Sequence, residues 1–169
     1  MPEHLEFEQW VPFPLGRVFG FFSNPENLAR IMPVSTATKV ESVRLVAPES
    51  PASGQGDEKA AGAGTVIITS FRIFPLLPFR AQWIARIAEL EWNHYFADVQ
   101  EKGPFKTWHH RHEFAEETRP GNNGTRIRDI IDYEIGWGVL GAVADALFVR
   151  RQMKRMFEER QRRLPSLLA

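Results

Sequence analysis

The sequence predicts an α+β protein in which a curved antiparallel sheet of seven strands wraps around one long C-terminal helix, with two short helices after the first strand. Three observations support this prediction. Seven segments alternate between apolar and polar residues or are rich in β-branched residues, two short helical patterns follow the first segment, and one long amphipathic pattern ends the chain. Consecutive strands joined by short turns pair antiparallel, and an amphipathic helix buries its apolar face against the sheet.

Length and composition fit one globular domain, which we expect to span residues 1–169. The 21 basic residues balance the 21 acidic residues, so no overall field attracts nucleic acid or an anionic membrane. The absence of cysteine excludes disulfides, thiolate nucleophiles and cysteine-type zinc sites. No window approaches the ~18 apolar residues of a membrane span, and the N-terminus lacks a signal-peptide pattern. We therefore expect a cytoplasmic protein with no stable membrane insertion and no nucleic-acid partner; the oligomeric state stays open.

The first strand and the two short helices occupy the start of the chain. Residues 3–11 alternate between apolar and polar side chains and predict the first strand, which two prolines end. A short helical pattern follows at 15–23. Asn24 and Pro25 then provide an N-cap and a first-turn proline for a second short helix at 26–31.

Three strands and one long loop are predicted in the middle of the chain. The strands lie at 38–46, 65–74 and 79–90, and the loop at 47–64 is rich in Pro, Ser, Gly and Ala. The inward face of the strand at 79–90 stays open, because both of its alternating sets are apolar. Arg86 faces inward in only one of the two registers.

The last three strands complete the predicted sheet. The fifth and sixth form a hairpin within 96–114 that turns near Gly103 and Pro104. Asn122-Asn123-Gly124 is a strong turn signal and predicts that the seventh strand begins after it, at 125–135. The long helix is predicted at 140–163, with an apolar stripe formed by Ala146, Val149, Met153, Met156, Phe157 and Leu164.

Period-two alternation places an unusual mixture of aromatic and polar side chains on the inward faces of these three strands. The fifth strand contributes Phe96, Asp98 and Gln100, the sixth contributes Trp108, His110, His112 and Phe114, and the seventh contributes Asp129 and Tyr133. A concave surface that combines large apolar groups with titratable groups is typical of a small-molecule pocket.

The same stretch resembles a known protein family. The spacing F-x-D-x-Q-x-x-G-P-F-x-x-W-x-H-x-H-x-F, at 96–114, is similar to a bacterial branch of the START-like or SRPBCC superfamily, some of whose members carry cell-division-inhibitor-like labels. The order of elements also resembles this superfamily, which has the helix-grip fold of Bet v 1-like allergens, polyketide cyclases and lipid-transfer domains. The sequence departs from the branch at 135–138, where a proline is usual before the glycine, and in the length of the 47–64 loop.

The resemblance implies a carrier or sensor that binds a hydrophobic or amphipathic small molecule between the sheet and the C-terminal helix. The residues expected to bind this ligand are Phe96, Asp98, Gln100, Trp108, His110, His112, Asp129 and Tyr133. An alternative is a cyclase or dehydratase-type enzyme, in which His110 or His112 acts as a general base beside Asp129. A second alternative is a regulatory interaction protein that binds no ligand. A buried hydrogen-bonded network would explain the same polar residues without any ligand.

Two further groups have more than one interpretation. Two histidines at alternate positions beside carboxylates could suit zinc or non-haem iron, but no third histidine is securely placed, so we expect no metal and no cofactor. Arg150, near the apolar stripe of the helix, either pairs with Asp129 or Asp98 or faces solvent.

Overall fold

Seven strands form one antiparallel sheet, as the alternating segments predict. The computed structural model describes residues 2–49, 59–72, 79–136 and 148–169. In the sheet the strands follow the order β1-β7-β6-β5-β4-β3-β2, so the two ends of the sheet are β1 and β2. The strands are β1 (Glu3–Val11), β2 (Lys39–Arg44), β3 (Val66–Arg72), β4 (Arg80–Glu91), β5 (Tyr95–Lys102), β6 (Thr107–Arg119) and β7 (Asn122–Glu134).

Two short helices connect β1 to β2, and a long helix ends the chain, which confirms the predicted α+β fold class. The helices are α1 (Leu15–Ser23), α2 (Leu28–Ile31) and α3 (Arg150–Leu168), and 3-10 turns lie at Pro25–Asn27 and Val34–Thr36. The side chain of Asn24 accepts a hydrogen bond from the backbone N–H of Glu26 at 3.0 Å, which is the predicted cap. The helix predicted at 26–31 therefore begins as a 3-10 turn.

The long helix extends past its predicted end at residue 163, although Pro165 lies inside it. A proline removes the hydrogen bond to the carbonyl four residues earlier, here that of Gln161. The side-chain amide of Gln9, on β1, donates to this carbonyl at 2.7 Å and so replaces the lost partner. The part of the predicted helix at 140–147 lies outside the described residues.

The turn between β6 and β7 lies earlier than predicted. Arg119 pairs with Asn122 across the hairpin, so Pro120 and Gly121 form the turn and Asn122-Asn123-Gly124 already belongs to β7. Gly121 has φ +82°, and a proline followed by a residue of positive φ is typical of a type II turn. The prediction from Asn-Gly was wrong because the adjacent Pro-Gly pair fits the two central positions better.

An apolar cluster fills the space under α1. Phe19 is fully buried there and meets the rings of Trp92, Phe96 and Phe114 edge to face, at centroid distances of 4.9 to 6.1 Å. This cluster also contains Val11, Val18, Ile31, Ala61, Ile87, Ile127, Leu164 and Leu168. It joins β1, the middle of the sheet and the end of α3, and we call it the α1 cluster.

A second apolar cluster lies between β1, β7 and the first half of α3. Its buried members are Leu5, Ile131, Tyr133, Met153 and Phe157. The ring of Phe157 stacks on that of Phe7 with a centroid distance of 4.4 Å and an angle of 4°. The helix is thus fixed against the sheet at both ends of its length.

The described ends of the 47–64 loop lie against each other. The N–H of Gly62 donates to the carbonyl of Val46 at 2.7 Å, and the hydroxyl of Thr65 accepts from the N–H of Val46 at 3.0 Å. A Cβ on Gly62 would lie only 2.5 Å from the Cα of Pro48, so this approach requires glycine. Residues 50–58 of the loop lie outside the described part of the chain.

Candidate ligand-binding site

A cavity of about 360 Å³ lies between the concave face of the sheet and α3. Its wall is mostly aromatic and aliphatic and includes Phe22, Ile67, Trp83, Phe96, Trp108, Met153 and Phe157. Small-molecule pockets commonly have volumes of roughly 300–1000 Å³ and a mostly apolar wall with a few polar groups. The size and lining of this cavity are those of a binding pocket.

The structure determines which side of β4 faces this cavity. Trp83, Ala85 and Ile87 line the cavity, so the register that the sequence left open is the one in which these three residues face inward. Arg86 faces outward, where its Nε donates to a carboxylate oxygen of Glu101 at 2.9 Å.

Strand register brings two carboxylates and two histidines together. Asp98 on β5 lies opposite His110 on β6, and His112 lies opposite Asp129 on β7. Residues that lie opposite each other in adjacent strands point to the same face of the sheet, here the concave face. Because His110 and His112 are two positions apart, both of their rings reach the same pair of carboxylates. We call these four side chains the polar network.

Asp129 lies between the two imidazole rings and is itself buried. Its Oδ1 is 3.0 Å from Nε2 of His110, within hydrogen-bonding distance, and 2.6 Å from Nδ1 of His112. The second contact lacks the angles of a directed hydrogen bond, since Nδ1 of His112 has no hydrogen-bond partner within the described structure. We therefore treat it as a close electrostatic contact.

Asp98 lies on the other side of the histidines and reaches the cavity wall. Its Oδ1 accepts a hydrogen bond from Nε1 of Trp108 at 3.2 Å. Its Oδ2 is 3.6 Å from Nδ1 of His110 and 3.9 Å from Nε2 of His112, which is too long for hydrogen bonds. The carboxylate is thus held by the indole, with its second oxygen directed between the two rings.

Burial and neighbouring charges shift the pKa of two members of the polar network. Desolvation, followed by the proximity of His110, lowers the pKa of His112 from 6.5 to about 4, so His112 is neutral at pH 7. Desolvation alone would raise the pKa of Asp129. The nearby His112 and the hydrogen bond from His110 outweigh this effect and hold the pKa of Asp129 well below its usual range, so it is ionised.

Of the eight residues expected to bind a ligand, five line the cavity: Phe96, Asp98, Trp108, His110 and His112. The other three, Gln100, Asp129 and Tyr133, are not among its described lining residues. Asp129 lies behind the histidines, and Tyr133 is fully buried in the second apolar cluster, where its ring contacts that of Phe105 at 5.4 Å. These three residues therefore support the wall from behind.

Gln100 holds the turn between β5 and β6. Its Nε2 donates to the carbonyl of Phe105 at 2.7 Å, and its Oε1 accepts from the N–H of Phe105 at 3.3 Å. A Cβ on Gly103 would lie 2.2 Å from Oε1 of Gln100, so the side chain occupies the space that glycine leaves. The spacing Q-x-x-G-P-F in the motif thus describes a closed turn.

The cavity also contains a charged residue that the sequence analysis did not identify. Arg160, on α3, is 7% exposed and lines the cavity. It lies on the apolar stripe three residues after Phe157 and four before Leu164, so helical spacing could have found it. Arg150 is not the arginine that approaches the polar network: it is half-exposed and pairs with Glu3 at 3.0 Å, in agreement with the solvent-facing alternative.

One group of side chains has the composition of a metal site. Asp98, His110 and His112 each offer one ligand atom, and these atoms lie within 4.8 Å of one another. Two imidazoles and a carboxylate suit zinc or non-haem iron. Asp129 contacts the remaining nitrogen of each ring, as carboxylates behind metal-bound histidines do. Asp98, one of the carboxylates that the sequence places beside the histidines, thus takes the position of a third ligand where no third histidine was securely placed, while the expectation of no metal stays a prediction.

The same geometry suits proton transfer. A histidine with one nitrogen held by a buried carboxylate and the other directed toward a cavity has the arrangement of a general base with its orienting group. The arrangement equally satisfies the hydrogen-bonding needs of a buried carboxylate. Within the cavity, therefore, the network can orient a polar ligand group, accept a proton from it, or do neither.

Comparison with known proteins places the chain in a family and defines its fold. A family model described as Domain of unknown function (DUF8410) matches residues 41–168. No curated protein matches the sequence.

The fold is shared by solved structures, of which three are described. The protein TTHA0849 from Thermus thermophilus is 20% identical, with 98% of this chain and 97% of that chain covered and a TM-score of 0.68. A START superfamily protein from Mycobacterium smegmatis is 12% identical, with coverage of 97% and 98% and a TM-score of 0.62. Norcoclaurine synthase from Thalictrum flavum, in complex with dopamine and hydroxybenzaldehyde, is 12% identical, with coverage of 97% and 87% and a TM-score of 0.58.

The fold of this chain is therefore the START-like helix-grip fold that its motif predicts, whereas the association with cell-division-inhibitor labels stays a prediction. Within the part of the chain that the structure describes, no helix is long and apolar enough to span a bilayer.

Proposed function

The chain belongs to the DUF8410 family, and on that premise we propose that it binds a hydrophobic or amphipathic small molecule, as a carrier or sensor, in the cavity between the sheet and α3. The observation that carries the proposal is the cavity itself: about 360 Å³ of space with a mostly apolar wall and a few polar groups on one side. A protein that used its fold only for packing would fill this volume with side chains.

The proposal assigns different roles to the eight predicted residues. Phe96 and Trp108 provide apolar contact area, and Asp98, His110 and His112 orient the polar end of the ligand. The remaining three, Gln100, Asp129 and Tyr133, hold these side chains in place from behind. The likeness to a protein that holds dopamine and hydroxybenzaldehyde supports a small-molecule ligand, without identifying it. The proposal treats residues 1–169 as one cytoplasmic START-like domain.

Mass spectrometry of the freshly purified and then denatured protein tests for a ligand that co-purifies. The affinity for Nile red, a neutral apolar dye, tests the cavity directly through its fluorescence. We expect the affinity to fall at least tenfold in Trp108→Ala, which removes wall area, and in Ala85→Leu, which fills the cavity. Phe79→Ala is the matched control, because Phe79 is 75% exposed and does not line the cavity. Equal dye affinity in all four proteins would contradict the proposal.

A cyclase or dehydratase-type enzyme is the second candidate, favoured by the contact of Asp129 with both histidines. In this function His110 or His112 removes a proton from an enolisable ligand, and Asp129 orients the ring. The pKa of His112, about 4, keeps its ring neutral at pH 7, but it also makes His112 a weak proton acceptor at that pH. Loss of turnover in His110→Ala or His112→Ala with ligand affinity within threefold of wild type would support this candidate. Turnover that survives both substitutions would exclude it.

A further inference from the structure

Arg160 is a buried cation that forms no ion pair within the described structure. Its Nε has no hydrogen-bond acceptor, and no ion pair of its guanidinium occurs among the described residues, although 93% of the residue is removed from solvent. The guanidinium lies over the ring of Phe157, 4.6 Å from its centroid. Arginine does not lose its proton in proteins, so the charge stays in place. An unpaired buried charge is costly, and proteins rarely keep one without a use.

Among the described residues no acidic group forms an ion pair with Arg160, although its charge is one of the causes that hold the pKa of Asp129 low. Both carboxylates of the polar network are engaged elsewhere: Asp129 with the two histidines, and Asp98 with Trp108 and, more loosely, the same rings. Other arginines of the protein show the contrast. Arg150 pairs with Glu3, and Arg163 donates to the carbonyl of Met32. Arg160 alone among these three faces the cavity.

We propose that the ligand of this cavity is an anionic amphiphile, an apolar body with one carboxylate or phosphate group that binds the guanidinium of Arg160. Carboxylates and phosphates match the planar fork of arginine with two parallel hydrogen bonds, and such charged bonds are about twice as strong as neutral ones. This inference rests on the proposed function, because it names the chemical class of the molecule that the cavity holds. It also explains why the apolar stripe of α3 is interrupted at residue 160.

The cavity volume gives the scale of the apolar body that fits inside it. At ~30 Å³ for each group of the size of a water molecule, about 360 Å³ holds roughly twelve non-hydrogen atoms. A ten-carbon chain with a carboxylate has this size. Decanoate is therefore a suitable probe, with decanol and methyl decanoate as uncharged probes of similar apolar area and decyl phosphate as the probe for the second anion.

Displacement of Nile red measures the affinity of the four probes. We expect wild-type protein to bind decanoate or decyl phosphate at least tenfold more tightly than decanol or methyl decanoate, since a hydrogen bond to a charged group contributes about one to two orders of magnitude. Tighter binding of decanoate than of decyl phosphate assigns a carboxylate as the natural group, and the reverse order assigns a phosphate. Equal affinity for charged and uncharged probes would overturn the inference.

Substitution of Arg160 locates the anion. Arg160→Met should abolish the preference for the charged probes and leave the affinity for decanol within threefold of wild type, whereas Arg160→Lys should keep part of the preference. Arg155→Gln is the matched control, because Arg155 is exposed on the same helix and does not line the cavity. A preference that persists in Arg160→Met would show that the anion binds elsewhere and would overturn the inference.

Thermal unfolding of the ligand-free protein distinguishes an arginine kept for ligand binding from an arginine that stabilises the fold. Replacing an unpaired buried charge with an apolar side chain of similar length should raise the melting temperature of the ligand-free protein. A lower melting temperature in Arg160→Met would assign a structural role and overturn the inference. If Nile red does not bind and none of the four probes binds, the proposed function itself is wrong.

Discussion

The α1 cluster and the polar network are both buried, but they are built in opposite ways. Around Phe19 the space is filled by apolar side chains that meet edge to face, and the buried groups require no hydrogen bonds. Around Asp129 the space contains four titratable groups, an arginine that forms no ion pair with any described residue, and an adjoining cavity. The first region lowers the free energy of the folded state through packing. The second region contains charged groups and borders an unfilled cavity. The two regions meet at Phe96, which belongs to the α1 cluster and also lines the cavity.

Removal of a side chain from the α1 cluster should have the largest effect on stability. Phe19→Ala leaves a cavity among Trp92, Phe96 and Phe114, and substitutions of this kind cost about 3–5 kcal/mol in unfolding free energy. Urea denaturation followed by circular dichroism measures the loss. Phe79→Ala is the control and should change stability by less than ~0.5 kcal/mol, because Phe79 is exposed. A loss below ~1 kcal/mol for Phe19→Ala would mean that the cluster is not the main source of stability.

Acid should lower the free energy of unfolding through the polar network, because the α1 cluster contains no titratable group. The pKa of His112 is about 4 in the folded state, and its reference value for the unfolded state is 6.5. Between these two pH values the imidazole is therefore protonated in the unfolded state and neutral in the folded state. Stability should therefore fall by about 3 kcal/mol as the pH falls from 6.5 to 4, at 1.36 kcal/mol for each pKa unit. The lowered pKa of Asp129 adds a further loss only below about pH 4, through its unfolded pKa near 3.9.

Urea unfolding at pH 7, 5.5 and 4 measures this pH dependence. His112→Asn should flatten it between pH 6.5 and 4, because the titrating group is gone while a side-chain amide can still reach Asp129. His109→Asn is the control, since His109 lies on the same strand and faces the other side of the sheet, where its Nε2 is 3.9 Å from Glu89. An unchanged slope in His112→Asn would assign the pH dependence to another group.

Loss of the Gln100 side chain should have a smaller effect on stability. This substitution tests whether Gln100 only stabilises the turn or also contacts a ligand. Gln100→Ala removes both hydrogen bonds to Phe105, which should cost about 1–2 kcal/mol in unfolding free energy. Affinity for Nile red should remain within threefold of wild type, because the side chain does not line the described cavity wall. A tenfold loss of dye affinity with unchanged stability would make Gln100 a ligand contact.

The smallest effect is expected at the surface ion pair of α3. Arg150→Gln removes the pair with Glu3, whose side chains are 41% and 36% exposed, and such pairs contribute about 0–1 kcal/mol. The measurement is urea denaturation at low and at high salt, and the difference from wild type should shrink as salt screens the pair. A loss above ~2 kcal/mol would connect Arg150 to the buried network.

The polar network could be predicted from the sequence because strands have a strict period of two. Once Asp98, His110, His112 and Asp129 were placed on inward faces of neighbouring strands, their proximity followed from the antiparallel order. The sequence could not predict which of these four side chains line the cavity. The distance of a side chain from the cavity depends on how Phe105 and Tyr133 pack, and the alternation of residues along a strand does not determine this packing.

The missed features depend on partners that are distant in sequence. Arg160 has the spacing of a buried residue, but an arginine in such a position is normally expected to face solvent. Pro165 predicts the end of a helix, but the amide of Gln9, more than 150 residues from it in the chain, binds the carbonyl that the proline leaves without a donor. The cavity explains the position of Arg160, and the contact with β1 of the sheet explains the position of Pro165.

The contact of Gly62 with Pro48 has a practical consequence for protein engineering. Since the two ends of this loop are bound to each other through Val46 and Thr65, whatever connects residues 49 and 59 can change in length without pulling on the sheet. Ala61, which directly precedes Gly62, lines the cavity. A fluorescent protein inserted between these ends would be attached next to the pocket, and occupancy of the pocket could then be read as a change in light emission inside living cells.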